Sequence, residues 1–308
     1  MLEVRNLSKT FGQRVALQDV SFAVGQGEVF GYLGPNGSGK TTTMRLLLGL
    51  LKPTSGEALI QGVHAGENPE VRRRVGVLLE ADGLYPRLSA YDNLDYFGRL
   101  YGVAERHTRI TQLLDFVGLS DRMSDKAGTF SKGMRRKLGL VRALLHSPDI
   151  LLLDEPSAGL DPESQKMVRD LILNLSEQAA LTVFLSSHDL DEVQRLCGRV
   201  AILQRGRLRV CDTLKALQST SGMNQVELVL SDAARASDAA TALRAVEGVG
   251  EVSVDDAMLR LTLKEDGSIA RLAAALEGSG IAVEEVRKSR RSLEDVYLDI
   301  VRQEEEHE

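Results

Sequence analysis

The chain has 308 residues, 43% of them hydrophobic and 27% charged, which suits a soluble globular protein of one large domain or two smaller ones. A net charge of −6 argues against a protein that lives on nucleic acid. No run of about 18 uncharged apolar residues could span a bilayer, and no basic, apolar leader opens the sequence as a signal peptide would. Two cysteines, Cys197 and Cys211, and five scattered histidines offer no metal-like spacing, the usage expected in a reducing cytosol.

Short β-like runs come first, at residues 2–7, 15–24 and 28–34. A helical stretch is predicted from Gly39 to about Leu50, followed by strands at 56–62 and 74–80. From Ser89 to about Ser147 the pattern is helical, with breaks near Gly102 and Gly118. Residues 150–155, Ile-Leu-Leu-Leu-Asp-Glu, read as an apolar strand of the kind buried in a parallel sheet. A helix at 162–178, a strand at 181–187 and a helix from Asp189 complete an alternation that predicts an α/β fold with a mainly parallel sheet. Polar residues 218–225 read as a linker. Beyond it, strand 226–230, helix 234–246, strands 250–255 and 258–263, helix 268–276 and strand 281–286 predict a small α+β, βαββαβ-like domain. The domains are therefore expected at 1–218 and 219–308. Leu293, Val296, Tyr297 and Ile300 fall on one helical face, a stripe expected to pack within its own domain or against a second copy. Basic runs at 72–74, 135–137 and 288–291 read as solvated faces.

The chemistry begins with Gly34-Pro35-Asn36-Gly37-Ser38-Gly39-Lys40-Thr41, which fits G-x-x-x-x-G-K-[ST] between a predicted strand and a predicted helix. Glycines let backbone N–H groups curl around phosphate, and the helix start adds its positive end. Lys40 supplies a point charge for β- and γ-phosphates, the Thr41 hydroxyl is placed for Mg²⁺, and Thr42 serves the α-phosphate. Asp154 ends an apolar strand, where a carboxylate can hold Mg²⁺. Glu155, one residue on, is expected to point differently through strand alternation, toward an attacking water. His188 ends another strand and is expected to touch the γ-phosphate. Phe130-Ser131-Lys132-Gly133-Met134 reads as a capped helix start able to meet an anion.

Together and in this order, the phosphate loop, the helical stretch, Phe130–Met134, Leu151–Pro156, Ser157–Asp161 and His188 resemble the ATP-binding cassette family over about residues 1 to 218. The resemblance implies a P-loop NTPase cassette with an antiparallel β subdomain and a helical subdomain, using ATP and Mg²⁺. It implies that Phe11, in a loop, stacks on adenine with Val15 nearby. It also implies that two cassettes sandwich two ATP molecules, Ser131 and Gly133 of one covering the phosphate held by the other. Ser157 and Asp161 would then cross the interface. The partner cassette is a second copy or a relative.

Two departures refine the reading. Lys132 and Met134 replace residues of the family's commoner LSGGQ signature. Glu80 stands where a glutamine usually touches Mg²⁺ and water, and remains a candidate Mg²⁺ ligand. Both variants, with the added C-terminal domain, look like the drug- and antibiotic-exporter branch, whose polytopic permease is a separate chain. The subunit is then expected to be cytoplasmic, on the inner face of the cell membrane. The segment 82–91 is expected to expose Leu84, Tyr85 and Leu88 to that permease. A GTPase would carry N-K-x-D and a chromosome ATPase a long insertion; neither is present. The rival is a soluble, non-transport cassette ATPase with a regulatory role.

Overall fold

The computed structural model describes residues 1–179, 181–219, 224–263, 269–289 and 292–305. These form two compact units, Met1–Leu214 and Lys215–Glu308. The first opens with an antiparallel pair, β1 (Leu2–Phe11) and β2 (Arg14–Val24). Along β2, Leu17, Val20, Phe22 and Val24 are buried while Gln18, Asp19, Ser21 and Ala23 are exposed, as in a sheet with one wet face. Phe11 therefore ends a strand beside the hairpin turn rather than lying free in a loop.

β3 (Val29–Leu33) runs into the loop that starts α1 (Lys40–Leu47). β4 (Ser55–Ile60) returns to β1, giving a three-stranded sheet of order β2-β1-β4. After α2 (Pro69–Arg73) comes β5 (Val75–Leu78), which stops short of Glu80. The helical region comprises α3 (Ala90–Tyr101), α4 (Arg106–Phe116) and α5 (Lys132–Leu144). Gly102 and Gly118, at the predicted breaks, take φ of 69° and 67°. Then follow β6 (Ile150–Asp154), α6 (Pro162–Ala179), β7 (Thr182–Ser187), α7 (Leu190–Leu196), β8 (Arg199–Gln204) and β9 (Arg207–Thr213); α8 (Leu214–Ser219) starts on the unit's last residue and belongs otherwise to the second unit. The short α2, the hairpin of β8 and β9, and α8 are not signalled by the sequence pattern, and the ends of the expected linker 218–225 are regular structure, 218–219 in α8 and 224–225 in β10 (Asn224–Leu230).

The main sheet has the order β5-β6-β7-β3-β8-β9, parallel except for its last pair. Aromatic rings join it to the smaller sheet: Phe22 of β2 lies 5.3–5.9 Å from Phe30, Tyr32 and Phe184, centroid to centroid. Because β5, β6, β7 and β3 run the same way, their carboxyl ends open together on one edge. That edge is where open α/β sheets bind ligands.

The second unit contains β10 (Asn224–Leu230), α9 (Ala236–Arg244), β11 (Val249–Asp255), β12 (Met258–Leu263), α10 (Ile269–Gly278), β13 (Val283–Ser289) and α11 (Leu293–Glu305). Its sheet is antiparallel, order β11-β12-β10-β13, the split-βαβ arrangement. Val226, Leu228, Leu259 and Leu261 on the strands pack with Ala239 and Leu243 of α9 and with Leu272 and Leu276 of α10. Leu293 and Val296 of α11 are buried, and Tyr297 and Ile300 are half-buried. The middle of the expected linker (220–223), the start of the 268–276 helix and the end of the 288–291 run lie outside the described residues. Residues 72–74 are exposed as expected, but the run 135–137 is not a solvated face: Arg136 is buried.

Candidate active site

The carboxyl ends of the parallel strands open on a cleft of about 940 Å³. It is lined by Phe11, by Pro35, Asn36, Gly37, Gly39, Lys40, Thr41 and Thr42, and by Glu80, Asp154, Glu155 and His188. Residues far apart in sequence thus converge because β1, β3, β5, β6 and β7 deliver their ends to one place. Gly34 and Ser38 are buried beneath the loop. Only glycine fits at position 39, where φ is 114° and a Cβ would lie 2.8 Å from the carbonyl of Ala16.

Lys40 is 6% exposed. Its Nζ donates to the carbonyls of Gly34 at 2.6 Å and Pro35 at 3.3 Å. It also lies 3.4 Å from Oε1 of Glu155, an ion pair without a hydrogen bond. The Thr41 hydroxyl donates to Oδ2 of Asp154 at 2.9 Å. Asp154 is 1% exposed, and its other oxygen accepts from the Ser186 hydroxyl, a partner on β7 that sequence did not single out. A hydroxyl and a carboxylate side by side at the foot of a phosphate loop are hard oxygen donors of the kind Mg²⁺ takes alongside phosphate and water. Exposed Glu80 adds a third oxygen group to the same wall. Among the described residues no cluster of three His, Cys, Asp or Glu could hold a metal alone. The donor set thus fits an ion shared with phosphate oxygens.

Glu155 lies beyond β6, and its φ of 50° turns it away from Asp154. This left-handed turn, rather than strand alternation, separates the two carboxylates. Its Oε2 stands 2.7 Å from Nδ1 of half-exposed His188, so the expected base and the expected γ-phosphate contact touch one another.

The residues read as meeting a partner's phosphate do not themselves line the cleft, although Lys132 between them does. Ser131 is exposed, caps α5 and accepts from the Met134 N–H at 3.2 Å. Gly133 sits so close to the start of α6 that a Cβ would be 3.3 Å from Oγ of Ser164. Ser157 is buried in its own chain. Asp161 is exposed and caps α6, accepting from Ser164 N–H at 2.9 Å and Oγ at 2.8 Å. Hydrogen bonds from Ser164 hold its carboxyl below the usual range. Val15 is 52% exposed beside Phe11, itself 45% exposed. Arg14, Asp82, Lys132, Arg135 and Arg136 also line the cleft; neither Arg14 nor Asp82 belongs to a motif that would mark it in the sequence.

Comparison with known proteins follows this geometry. The family described as ABC transporter matches residues 17–158. The uncharacterized ABC transporter ATP-binding protein YhcH of Bacillus subtilis (strain 168) is 36% identical over 302 residues, 97% of this chain and 95% of that one. The bacitracin transport ATP-binding protein BcrA of Bacillus licheniformis is 41% identical over 209 residues, 68% of each chain. The dimeric, post-hydrolysis structure of the ATP-binding cassette MJ0796 bound to ADP and Pi aligns with TM-score 0.64 and 28% identity, covering 70% of this chain and 99% of that one. A P-loop ATPase cassette is the class that fold and cleft define. The chain belongs to the ABC transporter family, as an ATP-hydrolysing, ATP-binding subunit. Among the described residues no helix is long and apolar enough to cross a membrane.

Proposed function

We propose that this chain powers export through a separate polytopic permease, at the cytoplasmic face of the membrane, working as a pair of cassettes that enclose two ATP molecules. One observation carries the reading. Lys40, Thr41 with Asp154, and Glu155 with His188 share one cleft, while Ser131 stands exposed at the start of α5, beside the rim residue Lys132 and with no contact to this chain's own phosphate loop among its hydrogen bonds. A second cassette, a copy or a relative, brings its own Ser131 and Gly133 over the phosphate. Phe11 stacks on adenine, and the backbone from Gly34 to Gly39, with Lys40 and Thr42, holds the phosphates. Thr41, Asp154 and Glu80 would hold Mg²⁺, which supplies charge neutralisation at the phosphates when bound. Glu155 takes a proton from water as the water oxygen bonds to the γ-phosphorus and the bond to the β–γ bridging oxygen breaks. His188 orients Glu155 through Nδ1 and leaves its other nitrogen for the γ-phosphate. Products are ADP and inorganic phosphate.

The permease face is the helical region beside Glu80. Tyr85 is 46% exposed and packs edge-on against Tyr96 at 5.3 Å, itself 48% exposed. Leu84 and Leu88, expected to be exposed, are half-buried, so within segment 82–91 the large exposed apolar side chain is Tyr85, and Tyr96 and Leu100 of α3 extend the surface. Likeness to a bacitracin transport protein supports the exporter branch, and no observation favours a non-transport ATPase. The test is a photo-crosslinking residue at Tyr85 in the full chain expressed in cells, with products identified after detergent solubilisation. A crosslink to a polytopic membrane protein is the expected result. Products confined to the cassette itself would overturn the permease assignment.

A further inference from the structure

Arg136 is 7% exposed, although its neighbours Arg135 and Lys137 make the segment look solvated in sequence. It is brought inside because α5 lies directly on β5. At Gly76 of β5, a Cβ would fall 2.2 Å from the carbonyl of Ala143 on α5. So close an approach carries the Arg136 guanidinium to the carboxyl ends of β5 and β6. There it donates from Nε to the Pro156 carbonyl at 3.0 Å, from Nη1 to Leu79 at 2.7 Å, and from Nη2 to Glu155 at 2.8 Å and to Asp154. Burial holds its pKa below the usual arginine value, the mark of a cation kept inside at a cost. An apolar side chain could fill the same space. A planar fork of donors is what can join two strand ends to one helix.

One of those carbonyls belongs to Glu155, whose φ of 50° is a conformation that a non-glycine residue keeps only when its surroundings hold it. Three bonds do so: Arg136 Nη2 and the Ala158 N–H (3.2 Å) on its carbonyl, and its own N–H donating to the Ser186 carbonyl at 3.0 Å; of these, only the bond from Arg136 reaches it from α5. We propose that Arg136 is a positioning residue for hydrolysis, clamping the backbone turn that aims the Glu155 carboxylate at Lys40 and His188. Arg136 also stands on the helix that Ser131 caps. The clamp therefore ties the catalytic turn to the helix start that meets a partner's nucleotide. This rests on the assignment of Glu155 as base.

The test is a double-mutant cycle in the full chain, with kcat, ATP affinity from a fluorescent ATP analogue and Tm read for each variant. Arg136→Met should lower kcat about tenfold or more while ATP affinity stays within about threefold, the signature of a group acting only in the transition state. Arg136→Lys, which keeps the charge and part of the donor set, should recover part of the rate. In a Glu155→Gln background, Arg136→Met should change the residual rate by less than about twofold, because a group acting through Glu155 has nothing left to position. If Arg136→Met does not fold, Arg136→Lys carries the same cycle. Equal losses in both backgrounds, or a loss of rate that follows ATP affinity, would overturn the proposal. A wild-type rate in Glu155→Gln alone would overturn the base assignment, and this proposal with it, by a different reading.

Discussion

Removing the lysine of the phosphate loop separates its charge from its packing. In Lys40→Met the apolar stem of the side chain is matched as far as Cε and the ammonium is lost. Two effects then add. The charge-assisted contact with phosphate is worth about 1.5–3 kcal/mol, or roughly 10- to 150-fold in ATP affinity. The donor to two carbonyls also disappears, but exposed Pro35 can be rehydrated, whereas buried Gly34 cannot. One orphaned carbonyl costs about 1–3 kcal/mol, a fall in Tm of about 2–12 °C for a unit of this size. Calorimetric titration with ATP and a thermal melt of the same sample separate the two. Affinity should fall by at least about tenfold while Tm drops by no more than about 12 °C and the protein stays folded at the assay temperature. Wild-type affinity in a folded Lys40→Met protein would refute the placement of the phosphates at this loop.

Three further outcomes are expected. Thr41→Ala should raise the Mg²⁺ concentration needed for half-maximal hydrolysis while leaving Mg²⁺-free ATP binding within about twofold, since its hydroxyl faces Asp154 at 2.9 Å rather than the loop amides. Phe11→Ala should weaken ATP binding by about 1–3 kcal/mol, the worth of one base–aromatic stack, and Phe11→Tyr should restore it in the same titration. Glu192, half-buried beside Ser187, has its pKa raised chiefly by desolvation. The folded state thus binds its proton more tightly than the unfolded one. The resulting stability is complete below the unfolded value and lost as pH rises through the folded one. Thermal melts of Glu192→Gln should therefore gain on wild type as pH rises from about 4 to about 8; a gap that stays flat or closes would contradict the burial argument.

Much of the site was legible because its chemistry is carried by short segments with their context attached. Gly34 to Thr41 sits between strand and helix, and Asp154 ends a run of four buried aliphatic residues; both can be read locally. The small domain was legible for the same reason, since its alternating Val226, Leu228 and Leu230 face one core. What escaped was set by contacts across the chain. Ser186 matters only because β7 lies beside β6. Arg136 reads as one cation among three, and only the approach of α5 to Gly76 shows it to be inside. The direction of Glu155 was expected from strand alternation, but the strand ends one residue earlier and a left-handed turn takes over.

The central claim, that Glu155 drives hydrolysis in a cleft completed by a second cassette, is tested most directly by light scattering of Glu155→Gln with saturating ATP and Mg²⁺. The glutamine keeps the side chain's size but cannot accept the proton of water, a loss of about 10²–10⁴-fold in rate. Lys40, Asp154 and the exposed Ser131 are untouched, so nucleotide should still close the pair. A stable ATP-dependent dimer is predicted, and the added Ser131→Arg should dissolve it by filling the space over the partner's phosphate. A Glu155→Gln protein that remains monomeric with ATP, or that hydrolyses at the wild-type rate, would contradict the account.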